Sequence, residues 1–507
     1  MPSNPLRNIT VSAPGFFGKN TQDSPLDLDS KFAAIANNAV IDQRGRLAAR
    51  KGYTELPDNN ATVLGSSTMD FVKAFEDEDG TTTIVSAGNN KIFTGVSTLS
   101  DVTPGGATIT ASKWQGVTLN DKHYLFQAGH KPIVYPAGGS FGLVEDQGGY
   151  VGTVPQGNCA VAGYGRLFVS GVSGSESIVY WSDLLDGLNW SGGSSGSIDI
   201  HDYWPRGWDK VIALHIHNNF LLIFGRFSTL IYEGVESPST MVLKDVINGI
   251  GCIARDSVQT TGRDVLFLSH QGVRTLGRTI QEKSLPIADV SKNVEDELEE
   301  FISGVDATTI NSMYNPEEKF YLLSFPANSV SYCFDIRRPL EDGSFRVTTW
   351  TGLVPNSQCR CVNEVHYLAM DAGLFKIDGY TDDGESYYFD WLLHPQTFGD
   401  NSRLKFVKHL HMSWEGGYGY TPILRWSFDY TNNFQSGVLE IETGGVTEYG
   451  VAEYGISEFT GNTLFGEDHI NGGGSGRLIT AGVKVLINGK PFALQEFNVQ
   501  ATIGRIV

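Results

Sequence analysis

The residues best suited to chemistry in this sequence come in short pairs. His215 and His217, and His409 and His411, are each two apart in alternating, apolar segments. Residues two apart on a strand share a face, so each pair would present two imidazoles side by side. Two imidazoles can begin a metal site, but a zinc centre takes three or four ligands with outer-shell support. No third ligand follows at a recognisable spacing. Cys359 and Cys361 have one residue between them, where a zinc hook has two or more. The expectation is therefore no metal, no cofactor and no catalytic residue. Phosphate-cradling Gly-Lys-Ser/Thr loops, dinucleotide fingerprints and a nucleophile elbow in a strand–helix setting are all missing.

These pairs must sit on strands, and the composition agrees. The chain has 507 residues, of which 59 are Gly, with 28 Phe and 20 Tyr and a charged fraction of only 19%. Such a balance favours many short strands and tight turns. Five cysteines in so long a chain are too sparse for a disulfide framework. The opening "MPSNPLRNITVSAPG" lacks the apolar core of a secretory signal, and no apolar run is long enough to span a bilayer. A soluble protein made in a reducing cytoplasm, without stable membrane insertion, is expected.

One unit recurs through the middle: an alternating strand, a turn, and a second strand often ending in an aromatic. It begins at "TTIVSAGNNKIFTG" from Thr82 and returns near His123, Gly165, Asn219, Asp264, Lys319 and Glu364. This spacing matches a four-stranded propeller blade of roughly 40–50 residues. The fold class expected is all-β: a propeller of six or seven blades over residues 56–395. Residues 1–55 and 396–507 would combine into one composite β-rich domain. A pair of β-sandwiches would also give regularly recurring strands. "SKNVEDELEEFI" predicts a helix capped by Ser291, with Val294, Leu298, Phe301 and Ile302 on one face. A second short helix is predicted from Pro25, with Leu28, Phe32 and Ile35 on its apolar side. Near the end, Asn488-Gly489 reads as the turn of a closing hairpin. "TEYGVAEYGISEFTG" fits neither helix nor strand period, and its Tyr449, Tyr454 and Phe459 are candidate subunit or appendage contacts.

Charge is unevenly spread. Residues 1–53 hold seven Lys/Arg against four Asp/Glu, and residues 401–507 hold eight against ten. The middle must then carry -21 of the total of -20, which opposes tight nucleic-acid binding. The basic excess gathers in "DQRGRLAARKGY" as Arg44, Arg46, Arg50 and Lys51.

That same N-terminal stretch, "GFFGKNTQDSPLDLDSKFAAIANNAVIDQRGRLAARKGY", resembles the opening of tail nozzle proteins of short-tailed bacteriophages, also described as tail tubular or DNA-stabilisation proteins. The matching positions are Gly18, Pro25, Leu26, Asn37/Asn38, Gly45, Arg50, Gly52 and Tyr53. The closing segment from "GSGRLITAG" and the blade "RLFVSG…VYWSD" are similar too. The resemblance implies a virion tail protein that forms a homohexameric ring under a head-to-tail adaptor ring. Each subunit would carry a propeller, and the ring would hold a channel for non-specific passage of genomic DNA. A tail fibre, spike or plug protein would attach to it. On this reading Arg44, Arg46, Arg50 and Lys51 lie at or near the adaptor junction, and the acidic middle keeps DNA from sticking. The alternative for Arg46 and Arg50 is an internal role, pairing with carboxylates of the composite domain.

Two other functions fit a propeller. A glycosidase or lyase acting on host-surface polysaccharide would need paired carboxylates at the channel mouth. The nearest approach to a sialidase-type turn, "SDLLDGLNW" from Ser182, has the wrong spacing. A monomeric carbohydrate-binding module would stack sugars on exposed aromatics.

Overall fold

The computed structural model describes residues 6–110, 113–262, 264–282, 290–361, 363–441 and 465–506. Tyr449, Tyr454 and Phe459 lie outside them. All seven recurring hairpins form; six are the middle pair of a four-stranded unit, and the seventh, Val265–Ser269 with Gly272–Thr275, is the outer pair of a three-stranded one. Six units are four-stranded blades: residues 69–101, 114–143, 159–199, 211–248 and 311–350 make blades 1 to 5. Blade 6 combines three strands of residues 357–377 with Tyr53–Glu55 from before the ring. A three-stranded unit at residues 259–275 stands between blades 4 and 5, with the helix Leu276–Glu282 after it. The first strand of each unit is innermost, as contacts between Ser357–Arg360 and Met69–Glu76, and between Cys159–Gly163 and Val211–His217, show.

The ring is held by apolar clusters between neighbouring units. Phe71, Phe75 and Ile92 of blade 1 pack on Trp114, Leu125 and Ile133 of blade 2. Cys359, Cys361 and Tyr367 of blade 6 pack on Met69 and Val72 of blade 1, which closes the circle. Each such side chain contributes about 1.5–3 kcal/mol on full burial. Strand alternation supplies these contacts because each blade uses one face toward each neighbour.

The two chain ends build a β-sandwich. One sheet has Arg403–Gly416 between Phe465–Asn471 and Phe492–Ile506, with Leu47–Ala49, Ala39–Ile41 and Leu6–Ser12 added beside the last. The other runs Phe32–Asn37, Tyr387–Leu393, Ile479–Ile487, Ile423–Phe428, Gln435–Val438. Trp391, Phe389, Trp414, Phe492 and Phe497 fill the space between them. Two segments fall across the expected boundaries: Tyr53–Glu55 pairs in blade 6, and Tyr387–Leu393 pairs in the sandwich. The second sheet also continues into the propeller. Gly18 pairs with Val347 of blade 5, and Asn37 with Thr349, both in parallel.

Three local expectations differ in outcome. The helix over Glu295–Gly304 forms, preceded by a 3-10 turn, with Val294 and Leu298 buried. Glu295, Asp296 and Glu297 in its first turn oppose the positive end of the helix dipole. Ser291 Oγ, however, accepts from Val273 N (2.9 Å) rather than capping that helix. The helix from Pro25 does not form. Residues 25–30 make turns and Phe32–Asn37 is a strand whose register shifts between Ala33 and Ile35. That bulge breaks strict alternation and leaves a spacing that imitates a helical face. Asn488-Gly489 does not close a hairpin: the chain leaves one sheet at Ile487 and enters the other at Phe492. Tyr420 Oη accepts from Asn488 N (3.0 Å) and Lys490 N (2.9 Å), and Pro491 has no N–H to extend a ladder.

Candidate functional sites at the domain crossover and the propeller mouth

The chain passes from sandwich to propeller at residues 50–52 and returns at residues 378–386. Arg50 joins the two crossings and has no exposed surface. Its Nη1 and Nη2 donate to Asp382 Oδ1 (2.8 Å) and Oδ2 (2.6 Å), a two-pronged pair. The remaining N–H groups reach Asn38 Oδ1 (2.9 Å), Lys51 O (3.0 Å) and Thr351 O (2.8 Å). The guanidinium lies 4.1 Å from the centre of the Tyr387 ring, whose hydroxyl donates to Arg50 O. A buried guanidinium is tolerable only when its donors are all engaged, which is met here. Asn38 adopts a left-handed φ of 52° and also accepts from Thr351 N (2.9 Å). Gly52 has no room for a side chain, since an added Cβ would lie 1.9 Å from Thr381 O. Gly18 is equally confined, with Val347 O at 2.2 Å from that position.

The four basic residues of the N-terminal turn therefore separate. Arg50 is removed from any contact surface. Arg46, 9% exposed, pairs with Asp42 (2.7 Å) and Glu415. Arg44 is exposed and reaches Glu415 (3.2 Å); Lys51 is half-exposed and reaches Glu318 (3.3 Å). Beneath them lies a cleft of about 360 Å³ between sandwich and propeller, lined by Arg46, Lys51, Glu318, Arg337 and Tyr380 among others.

The propeller axis holds a second site. A cavity of about 540 Å³ opens where the innermost strands begin, and a smaller one of about 230 Å³ adjoins it. Both are bounded by Lys113, Arg255 and Asp256. Arg255 pairs with its neighbour Asp256 (2.7 and 2.8 Å) and donates to Trp114 O (2.9 Å) and Asn158 O, tying blades 2 and 3 across the axis. Lys113 Nζ donates to Asn356 O (3.2 Å), and burial holds its ammonium below the usual lysine range. Glu176, Lys210, Gly129 and Gly171 stand at the mouth.

Beside that mouth is an aromatic and cationic cluster. Trp208, 67% exposed, meets Phe227 edge-on (6.1 Å, 77°), and His270 stacks on Phe227 (5.3 Å, 13°). Arg206 and Arg226 lie 5.2 and 5.6 Å from the Phe227 ring centre. The buried Asp209 fixes the arrangement by accepting from Lys210 N (2.8 Å), Arg226 N (2.9 Å) and Phe227 N (2.8 Å). The sequence reading missed this cluster, although "WPRGW" at residues 204–208 puts two Trp and an Arg in one Pro/Gly loop.

The paired residues have other surroundings. His215 lies on the innermost strand of blade 4, and burial lowers its pKa to about 4. His411 faces His469 across two strands, and the His409 ring is 5.4 Å from that of His469. Cys359 and Cys361 are buried thiols between blades 6 and 1, and burial raises Cys359 to about 12. Among the described residues, no three His, Cys, Asp or Glu side chains converge as a metal site.

The architecture defines an all-β protein with a six-bladed propeller carried on a sandwich of both chain ends. Two solved WD40 domains and one extracellular domain are similar to it. The C-terminal WD40 domain of Sif2 matches at 11% identity over 61% of this chain and 80% of that one, with a TM-score of 0.36. The WD40 domain of Neurospora crassa Pan2 matches at 9% identity over 66% and 98%, with a TM-score of 0.37. The extracellular domain of a putative one-component system from B. thetaiotaomicron matches at 10% identity over 69% of this chain and 46% of that one, with a TM-score of 0.41. No protein-family profile matches the chain. No curated protein matches it in sequence.

Proposed function

We propose that this chain is a structural subunit of a short-tailed bacteriophage tail, a nozzle that forms a ring under the head-to-tail adaptor. The ring extends the DNA channel and supports retention and ejection of the genome. The observation that carries the reading is where the resembling residues fall. Gly18, Asn38, Arg50, Gly52 and Tyr53, matched only as scattered letters, gather at or beside the crossings between sandwich and propeller, whereas the matched Pro25, Leu26 and Gly45 lie in turns elsewhere. Those at the crossings encode one way of joining two domains, so a shared motif at these positions speaks for a shared architecture. A subunit through whose ring DNA moves must keep its parts at a fixed angle, and sheet pairing running from blade 5 into the sandwich favours that.

In this reading the partners are other copies of the chain, the adaptor ring, and a fibre, spike or plug protein. Arg44 and Lys51 remain the accessible members of the basic turn for the adaptor. Immunogold labelling of intact particles tests the reading. Gold confined to the distal tail supports it; unlabelled particles with the protein free in the lysate overturn it.

A further inference from the structure

We propose that the propeller mouth binds a carboxylate-bearing saccharide, with Trp208 as stacking platform and Arg206, Lys210 and Arg226 as its cationic rim. Three observations converge on one end of the propeller. Val211 pairs with Gly225, which sets the Arg226–Phe227 turn at the end where the innermost strand of blade 4 begins. Lys210 and Val211 line the axial cavity at that same end. Ile253 N donates to Leu268 O, placing the turn with His270 there as well. Platform, rim and cavity therefore open in one direction.

The charge of the site is unusual for this molecule. Arg206, Lys210 and Arg226 are exposed and have no ion pair among the described residues, in a chain of net charge -20. Both guanidinium groups are held over the Phe227 ring, which restricts them before any ligand arrives. The indole of Trp208 is held by its contact with Phe227 and still leaves most of its surface to solvent. Its electron-rich face attracts polarised C–H bonds, which a pyranose ring presents in an array on one side.

The chemistry selects among partners. A protein hot spot places its aromatic in an apolar, desolvated surround, whereas Trp208 has Arg206, Asp209 and Lys210 as close neighbours in its loop. A nucleic acid carries a phosphate at every nucleotide and would meet the field of the whole acidic chain. A short acidic saccharide carries only a few charges in all and is governed by the cations within a Debye length of it, about 8 Å at physiological salt. The cavity of about 540 Å³ has the size of a small-ligand site; its Lys113, Asn158, Ser173 and Thr308 suit hydroxyl groups, and its Glu176 and the Arg255-paired Asp256 leave the ligand's carboxylate to the outer cationic rim.

The test is calorimetric titration of the full chain with tetragalacturonate and with sialyllactose, beside methyl-esterified tetragalacturonate and oligothymidylate. Binding of at least one carboxylated sugar is expected, weakened about tenfold or more in Trp208→Ala and in Arg206→Ala, and weak for the ester. The proposal is overturned if neither acid sugar binds, if Trp208→Ala binds as well as the parent, or if the ester or oligothymidylate binds best. Both side chains are exposed, so unfolding midpoints should stay at the parental value. Should Trp208→Ala fold poorly, Arg226→Glu carries the same comparison. The outcome is independent of where the protein resides in a particle.

Discussion

Arg50 and Arg206 each sit against an aromatic ring, at 4.1 Å and 5.2 Å from its centre, yet their surroundings are opposite. Arg50 is enclosed, and its five donors end on Asp382, Asn38, Lys51 and Thr351. Arg206 is exposed and has no carboxylate partner among the described residues. The first cation has spent its valences inside the protein and fixes one domain on another. The second is fixed by Phe227 alone and keeps its hydrogen-bonding groups for something else. The same residue type thus marks architecture in one place and recognition in the other, and burial together with donor count decides which.

The sharpest way to break this contrast is to remove the enclosed cation. Arg50→Ala leaves Asp382 without its partner and uncovers the carbonyl of Thr351. Loss of one member of a buried ion pair costs about 3–5 kcal/mol. Chemical denaturation should show that drop, and Arg50→Lys should recover little of it, because an ammonium cannot make the two-pronged pair. A loss under about 1 kcal/mol would mean that the crossover is held by sheet pairing alone.

Gly52→Ala probes the same junction by steric means. Its Cβ would fall 1.9 Å from the backbone oxygen of Thr381, which cannot yield as a flexible side chain can. A loss of about 1–3 kcal/mol is expected, as for other overpacked sites. Gly80→Ala is the control: its surroundings are open, though its φ of +81° adds a conformational strain of its own. The comparison is sharpened if Gly52→Ala also loosens the return crossing, read as faster hydrogen exchange at residues 378–386.

The sequence made some of this legible and hid the rest for physical reasons. The seven hairpins were visible because their alternation is dictated by burial on both neighbours, a local pattern. The pairing of both chain ends was foreseen from the resemblance and from a propeller inserted between two terminal segments, but its boundaries were not. Tyr53–Glu55 looks like the tail of the N-terminal segment, and only the ring's need for an outer strand in blade 6 places it there. The helix misread at Pro25 arose from a bulge, and the hairpin misread at Asn488-Gly489 from a turn that changes sheets. Arg50 appeared among four similar basic letters, and nothing nearby in sequence names Asp382, 332 residues away. Trp208 was missed because Phe227, on which His270 stacks, reaches it through a tertiary turn rather than through spacing.

Acid separates the two regions further. His215 and His366 are both held near pKa 4 by burial, against about 6.5 in an unfolded chain. Between those values the unfolded state binds more protons than the folded one, so stability falls as pH falls from about 6.5 towards 4. Both histidines belong to blades, whereas the Arg50 pair does not involve an imidazole. Unfolding midpoints should therefore decline over this window, and His215→Gln should flatten the slope. An unchanged slope in both His215→Gln and His366→Gln would show that these imidazoles are already solvated in the folded chain.

The smallest expected change in stability comes from the exposed cations. Arg44→Glu alters an ion pair with Glu415 on a side chain 66% exposed, and pairs of this kind contribute about 0–1 kcal/mol. Arg206→Ala should be milder still, since it breaks no ion pair. The two substitutions should nonetheless differ in what they disturb. Reversal of Arg44 and Lys51 together should weaken assembly of tails while leaving saccharide binding intact. Arg206→Ala should do the reverse. Infected-cell extracts separated on a gradient would show fewer completed tails in the first case and parental numbers in the second. If reversing both basic residues leaves tail yield unchanged, the turn is part of the fold like Arg50, and its charge serves the cleft over Glu318 and Glu415 instead of a partner.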